Sequence, residues 1–383
     1  MEEKAPMTPV RASDLVVGEK IPWPIYDRYG WLLLRADSVV ETQRQKDILV
    51  EAGFRERAPG EPDSPSGPVR HRPRAPERDP NPFTLFNRIT LRLEECLRLV
   101  TAREAHALRL LTALGTTVHH LIDQDADAAL GAVHLAHSLP YSVRHPVQKA
   151  IICETIARTL DYDAERRASI VHAALTANLG MIEIQEDLEQ QTSPLTREQM
   201  AAIHAHPEQS RLRLEAAGVT DTVWLDIISQ HHEKLDGTGY PNGLKGDEIL
   251  PEARLVALAD VYSAMITPRH YRASVDARQA MRDIFLARGR EYDREMAEIF
   301  IKVLGIFPPG LYVKLSSGEV AVVVRRGADA KYPRVAAVVK RGGEPYVNPR
   351  LIETAPGGPT ITGLEEREYR AWHLELPTIW GYD

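Results

Sequence analysis

The chain has 383 residues, of which 43% are apolar, so it can bury a full core, and its length predicts two or three domains. Its net charge of -7 at pH 7 and pI near 6.1 argue against broad binding to nucleic acid or to an anionic membrane, although a local basic pocket could hold a phosphate ligand. Only Cys96 and Cys153 are present, which excludes a disulfide framework and a thiolate zinc site, so any metal must be held by histidines and carboxylates.

The first 83 residues of the chain predict a small module followed by a linker. MEEKAPMTPVRASD has no apolar segment typical of a signal peptide, and no run of about 18 apolar residues occurs, so we expect no membrane span and a cytoplasmic protein. Residues 1–58 predict a small α+β module, in which KIPWPIYDRYGWLLLRADSVV alternates apolar runs with turn residues and TQRQKDILVEAGF predicts a short helix closed by Gly53. Residues 59–83 are proline-rich, which predicts an extended linker.

The rest of the chain predicts a mainly α fold. Over residues 84–305, apolar residues recur at helical spacing, as at Leu91, Cys96, Leu97 and Val100, which predicts a helical bundle. Within residues 306–383, LYVKLSSGEVAVVVRR and RVAAVVKRGGEPYV alternate apolar and polar residues around Ser-Gly and Gly-Gly turns. This alternation predicts a short antiparallel β appendix after the bundle.

The segment HHEKLDGTGYPNG, residues 231–243, is the sharpest local feature. Neighbours on a helix point about 100° apart, so His231 and His232 can reach one metal ion only near a helix end or a pocket wall. The Asp-Gly-Thr-Gly-Tyr-Pro turn that follows would end the helix and open a loop over the pocket. Because a histidine pair alone is more often structural than a ligand, the surrounding sequence has to decide between the two interpretations.

Residues 141–272 resemble the HD-GYP family, bacterial metal-dependent phosphodiesterases that open cyclic di-GMP. The resemblance rests on YSVRHP, on LTREQMAAIHAHP and on HHEKLDGTGYPNGLKGDEILPEARLVALADVYSAMITPRHYR. The second of these segments also starts as a helix should, with Thr196 as N-cap and Gln199 three residues later. The resemblance implies an HD-superfamily helical bundle.

The resemblance also implies two groups of metal ligands. His145 and Asp260 belong to one metal position, and His206, His231 and His232 belong to the other. His206 is favoured over nearby His204 because a proline follows it, as the family pattern asks. His145 or His206 considered alone is better interpreted as a hydrogen-bonded structural histidine, but their joint occurrence in family order favours ligands.

The family's own His-Asp pair, followed by Ile-Gly-Lys, is not matched in this chain. The corresponding segment, VHAALTANLGMIEI, has Ala177, Asn178 and Met181 where the family has His, Asp and Lys. In such a site the Asp carboxylate bridges two metal ions, whereas a neutral amide can neither bridge two cations nor offset their charge. We therefore assign no catalytic residue. His172 lies five residues before Ala177, on a different helical face, and is interpreted as a packing residue.

These substitutions predict a reduced metal site. The first position keeps two protein ligands, which seldom hold a transition metal firmly, so a binuclear centre is not expected. Three neutral imidazoles are a known way of holding Zn, Fe or Mn. Our hypothesis is that His206, His231 and His232 retain one divalent transition metal ion.

Two further features are implied by the resemblance alone. Arg254, Arg269 and Arg272 occupy positions associated with the phosphate side of the pocket or its rim, and the planar fork of arginine suits phosphate. The alternative for each is a charge on a helix surface. The loop Gly239, Tyr240 and Pro241 is implicated in contacts with GGDEF-type or other signalling proteins, and its alternative is a tight turn with an anchored tyrosine.

Three functions stay open on this sequence. The first is a degenerate HD-GYP protein of cyclic di-GMP signalling that binds the dinucleotide, a protein partner or both, with little or no hydrolysis. The second is a weak metal-dependent cyclic di-GMP phosphodiesterase, and the third is a non-catalytic interaction scaffold. The missing bridging carboxylate disfavours the second on chemical grounds. The sequence does not separate the first from the third, and it leaves open the metal, the role of the N-terminal module, the partners and the oligomeric state.

Overall fold

The computed structural model describes most of the chain, in two compact units that are treated separately, one ending before residue 78 and one starting there. The described residues are 7–26, 32–34, 36–40, 43, 46, 49–50, 54–56, 80–136, 139–191, 193–267, 275–365 and 376–382, without the side chains of residues 7, 26, 32, 33, 56, 186, 187, 189 and 190. The proline-rich linker predicted for residues 59–83 lies outside the described residues as far as residue 79.

The first unit contains a four-stranded antiparallel sheet. Its strands are β1 (Met7–Pro9), β2 (Ile25–Tyr26), β3 (Leu32–Leu34) and β4 (Phe54–Glu56), in the order β1-β4-β2-β3. Six apolar side chains form its core: Val10, Leu15, Ile21, Ile25, Val40 and Leu49. Of the helix predicted before Gly53, the structure describes residues 43, 46 and 49–50 as helical, and Gly53 lies outside the described residues.

The second unit begins with a helical bundle. Its helices are α1 (Pro82–Thr101), α2 (Ala107–Leu135), α3 (Tyr141–Thr159), α4 (Ala164–Thr176), α5 (Ile182–Gln190), α6 (Arg197–Ala216), α7 (Thr222–Gln230), α8 (Pro251–Ile266), α9 (Ala277–Ala287) and α10 (Arg294–Leu304). The central helix α3 is buried along almost its whole length, because α1, α2, α4 and α8 all pack against it. None of the described helices combines the length and the apolar character needed to cross a membrane.

Side-chain caps set the starts of several helices. Asn81 accepts a hydrogen bond from the Thr84 backbone N–H at the start of α1, and Pro82 follows it, where its missing N–H costs nothing. Asp163, Asp221 and Asp293 cap α4, α7 and α10 in the same way. At α6, Thr196 and Gln199 each accept a hydrogen bond from the other's backbone N–H, which confirms the predicted capping box.

A five-stranded antiparallel sheet follows the bundle. Its strands are β5 (Tyr312–Leu315), β6 (Val320–Arg325), β7 (Arg334–Val339), β8 (Pro345–Glu353) and β9 (Ile361–Leu364), in the order β8-β7-β6-β5-β9. Strands β6 and β7 are buried on both faces, and β6 packs against α2 and against the short helix α11 (Leu376–Trp380). The predicted mainly helical fold with a C-terminal antiparallel sheet is therefore confirmed.

Two aspartates of α2 connect the bundle to this sheet. The α2 backbone leaves helical geometry at Asp125, whose carboxylate then caps the restarted helix by accepting from the Ala128 N–H at 2.9 Å. The same carboxylate accepts two hydrogen bonds from the Arg325 guanidinium, at 2.7 and 2.6 Å, and Asp127 pairs with Arg326. These two pairs, of which Arg325–Asp125 is bidentate, hold the end of β6 on the kink of α2.

Candidate metal centre

His206 is held in place by a close approach between α6 and the turn after α4. Gly180 lies in this turn, Leu179–Met181, and a Cβ atom there would come within 2.7 Å of the Ser210 backbone nitrogen. The Ser210 hydroxyl donates to the Ala177 carbonyl and accepts from the Gly180 N–H, both at 2.7 Å. Without a side chain at position 180, α6 packs tightly enough to bring the fully buried His206 ring into the interior.

His231 and His232 reach the same place from the end of α7. His231 is the C-cap residue of that helix, so the chain turns there and the two adjacent rings are no longer separated by helical geometry. Nitrogen atoms of His206, His231 and His232 lie within 4.8 Å of one another. Among the described residues, this is the one group of three or more potential ligands close enough to share an ion.

The hydrogen bonds of two of these rings leave their inner nitrogen atoms bare. The Nδ1 atoms of His206 and His231 lie 2.6 Å from the carbonyls of Ile203 and Ile228, so each Nδ1 carries the proton. The two Nε2 atoms then face each other as lone pairs at 3.3 Å. Such an arrangement is unfavourable by itself and suits a cation bound by both.

Burial keeps the three imidazoles neutral. Burial lowers the pKa of His232 to about 4, and burial together with the neighbouring His232 lowers the pKa of His206 to about 3. The pKa of His231 lies well below its usual value for the same reasons. Neutral imidazoles are the form that binds transition metals, so the donor set fits one ion of Zn, Fe or Mn.

Tyr240 fixes the ring of His232. Its ring stacks on His232 with 4.7 Å between ring centroids and on His204 with 4.5 Å, so His204 packs on the tyrosine while His206 joins the cluster. Gly239 lies against the backbone of residues 232–234, where a Cβ atom would not fit. The Gly-Tyr-Pro segment thus supports the cluster, and its predicted contacts with signalling proteins stay a prediction.

Glu233 holds the loop after the histidine pair. This buried carboxylate accepts from the Asn242 N–H at 2.6 Å and from the Leu244 N–H at 3.0 Å. The two bonds fold the loop back onto the end of α7, and the sequence analysis did not assign this role. Its signal was the acidic residue directly after the histidine pair.

His145 and Asp260 meet beside a buried lysine. His145 Nε2 lies 3.1 Å from Asp260 Oδ1, and the Tyr141 ring stacks on His145 with centroids 4.8 Å apart. Lys149, one helical turn after His145, donates to the same Asp260 oxygen at 2.9 Å and to Asn178 Oδ1 at 3.0 Å. Burial alone would raise the pKa of Asp260, but Lys149 and His145 hold it well below its usual range.

The remaining predicted residues occupy different surroundings. The His172 ring packs on Trp224 with centroids 4.9 Å apart, away from the cluster, as expected for a packing residue. Arg254 donates to the carbonyls of Ile249 and Gly246 and pairs with Asp247 and Asp293. Met181 ends the turn that contains Gly180. Arg269 and Arg272 lie outside the described residues.

The fold and the histidine cluster define a mainly helical protein with a candidate metal site, and comparison with known proteins shows what it is similar to. A family model described as HD domain matches residues 132–296. The chain is 26% identical to cyclic di-GMP phosphodiesterase PA4108 of Pseudomonas aeruginosa over 404 residues, covering 99% of this chain and 96% of that protein. It is 23% identical to cyclic di-GMP phosphodiesterase PdeB of Borreliella burgdorferi over 206 residues, covering 54% of each.

A solved structure is similar in fold. Bd1817, described as an HDG"Y"P protein from Bdellovibrio bacteriovorus, superposes with a TM-score of 0.51 at 18% identity, covering 78% of this chain and 99% of that one. The HD domain match and these similarities support the resemblance to HD-GYP proteins that the histidine and Gly-Tyr-Pro segments indicated.

Proposed function

We propose that this protein acts in cyclic di-GMP signalling, binding the dinucleotide at a single-metal site and hydrolysing it little or not at all. One observation carries the proposal: the position of the bridging carboxylate is occupied by Asn178, whose side-chain oxygen accepts from Lys149, while the three-histidine cluster beside it is complete. The two relatives named as cyclic di-GMP phosphodiesterases support this choice of ligand.

The chain's own residues would hold one ion and keep it oriented. His206 and His231 direct their bare Nε2 atoms at a common point because each Nδ1–H donates a hydrogen bond to a backbone carbonyl. Tyr240 keeps the His232 ring from rotating by stacking on it. A bound ion would supply Lewis acidity toward a phosphate oxygen. With Asn178 in place of a carboxylate, no residue at that position can bridge a second ion, which is why little hydrolysis is expected.

The predicted arginines belong to the nucleotide side of this proposal. The Arg254 guanidinium is tied to Asp293 and Asp247 in the structure, so a phosphate would have to replace one of these carboxylates. Asp247 is fully exposed and is the easier of the two to displace. We therefore keep Arg254 as the phosphate contact to test, together with Arg269 and Arg272.

The test measures binding and hydrolysis on the same protein. The full chain is loaded with Mn²⁺ under oxygen-free conditions, cyclic di-GMP binding is measured by equilibrium dialysis, and linear dinucleotide and GMP are separated by chromatography. We expect binding that is lost in His231→Ala, with turnover at least about 100-fold slower than an active two-metal HD-GYP enzyme, because a lost ion removes several kcal/mol of charge stabilisation. Folded, metal-loaded protein that binds no dinucleotide would refute the proposal and favour the scaffold.

A second candidate is the weak metal-dependent phosphodiesterase. The observation that favours it is the complete set of three neutral imidazoles, since a single ion held this way is sufficient for metal-assisted hydrolysis in other enzymes. Turnover approaching that of the two-metal control, and abolished in His231→Ala, would establish this activity in place of the binding function.

A further inference from the structure

Lys149 is a charged side chain in the middle of the protein, and the proposed function does not yet use it. The residue has no exposed surface, and its ammonium group reaches from α3 to α8 and to the residue that follows the C-cap of α4. It donates to Asp260 Oδ1 at 2.9 Å and to Asn178 Oδ1 at 3.0 Å. A buried ammonium is unfavourable unless it is paired, and here its partners include the Asp260 carboxylate.

The two oxygens that a metal ion would use are therefore already engaged by a cation. His145 Nε2 and the Lys149 ammonium both lie within 3.1 Å of the same Asp260 oxygen. The Asn178 oxygen faces the ammonium as well, and its amide carries no charge to attract a second cation. A divalent ion placed against Asp260 would be repelled by the ammonium at close range in a water-poor interior.

The charges of Lys149 and Asp260 also act on the histidine cluster. Lys149 and Asp260 both act on the pKa values of His206, His231 and His232, so the two groups of residues form one electrostatic unit. Lysine is a compact point charge on a flexible stem, which suits the space between two oxygens on different helices.

We propose that Lys149 is a built-in cation of this site: its ammonium group takes the place of a second metal ion beside Asp260, so the protein binds one divalent ion per chain. The inference deepens the single-metal function proposed above and rests on it for the ion at His206, His231 and His232. Lys149 thereby determines how many ions the site accepts.

The test counts metal ions in four forms of the full chain. Wild type, Lys149→Met, Asn178→Asp and the double variant are dialysed against Mn²⁺ or Zn²⁺, freed of loose metal by gel filtration and analysed by mass spectrometry of the metal. We expect the double variant to bind one more ion than wild type, because His145, Asp260 and the new carboxylate then form three ligands without a competing ammonium. Asn178→Asp alone should bind no more than wild type, since the retained ammonium still occupies the space between the side-chain oxygens of residues 178 and 260.

Each outcome decides either the inference or the proposed function. A second ion in wild type, or a second ion gained by Asn178→Asp alone, overturns the role of Lys149. A folded double variant that gains no ion overturns it as well. If Lys149→Met does not fold, as circular dichroism would show, the Asn178→Asp variant still decides. The proposed single-metal function is tested separately, by whether wild type binds one ion that His231→Ala does not. The role of Lys149 is tested by the difference in ion count between its variants and wild type.

Discussion

Replacing Gly180 by alanine tests whether the packing of α6 sets the geometry of the histidine cluster. The added Cβ would lie 2.7 Å from the Ser210 nitrogen and 2.8 Å from the Gln209 Cβ, and still closer to the His206 carbonyl. Reaching an ordinary contact of 3.4 Å requires α6 to move by about 0.7 Å at the Ser210 nitrogen and by more at the His206 carbonyl, and backbone atoms cannot rotate away as a side chain can. The His206 ring would move with the helix.

Two effects of measurable size follow from this displacement. Overpacking of this kind costs roughly 1–3 kcal/mol, which corresponds to a fall in Tm of roughly 2–10 °C. Metal–nitrogen distances tolerate deviations of only about 0.2 Å, so we expect metal affinity to fall about 10- to 100-fold. Competition with a fluorescent chelator measures the affinity, and thermal unfolding of the metal-free protein measures the stability.

The matched control is Gly342→Ala in the turn between β7 and β8. A Cβ there has no atom within 4 Å, and the residue is not among the glycines with positive φ, so Tm and metal affinity should be nearly unchanged. A Gly180→Ala protein that folds and binds metal within twofold of wild type would refute the argument that α6 packing positions His206.

Three other variants test separate parts of the structure. Tyr240→Leu removes the stacked ring beside His232 and should weaken metal binding about tenfold in the chelator assay. Burial lowers the pKa of His172 to about 4, so between pH 6.5 and 4 the unfolded chain binds a proton at this residue and the folded chain does not. The free energy of unfolding therefore decreases as the pH is lowered. In urea titrations, His172→Leu should lose about 2–3 kcal/mol less of this free energy than wild type between pH 7 and 4.5. Arg254→Ala should lower the free energy of unfolding by about 2–3 kcal/mol, whereas Arg290→Ala, 71% exposed, should change it by less than about 0.5 kcal/mol.

Each of these expectations has an opposing result. Unchanged metal affinity in the Tyr240 variant would mean that the stacked ring does not orient the cluster. Equal pH slopes for wild type and the His172 variant would show that this imidazole titrates normally in the folded protein. Equal losses in the free energy of unfolding for the two arginine variants would mean that the contacts of Arg254 stabilise the fold no more than those of an exposed arginine.

The parts of the fold that depend on neighbouring residues could be predicted from the sequence. The capping box of Thr196 and Gln199 joins residues three apart, and the strands β5 and β6 are joined by a Ser-Gly turn. The placement of His206 and of the His231-His232 pair followed from family order and from the helix end after Gln230. These features depend on residues close together in the sequence, so hydrophobic periodicity and turn residues are enough to predict them.

The charge pattern of the site could not be predicted in this way. Lys149 and Asp260 are 111 residues apart, and nothing in the intervening sequence indicates that they pair. The lysine directly precedes the apolar run Ala-Ile-Ile-Cys, four residues after His145, which was the available signal, but many lysines on helices end in solvent. Gly180 is a similar case, since the need for a missing side chain appears only once α6 lies against it.

The pairing of Asp125 with Arg325 has a consequence for synthesis of the chain. The two residues are separated by 200 positions, so at roughly 5–20 residues per second about 10 to 40 s pass between their appearances at the ribosome. During that time the kink of α2 carries a carboxylate whose partner does not yet exist, and the face of α2 that β6 will cover stays open. We expect the bundle of a nascent chain to stay incompletely packed until the sheet has emerged, which makes chaperone dependence greatest in that interval.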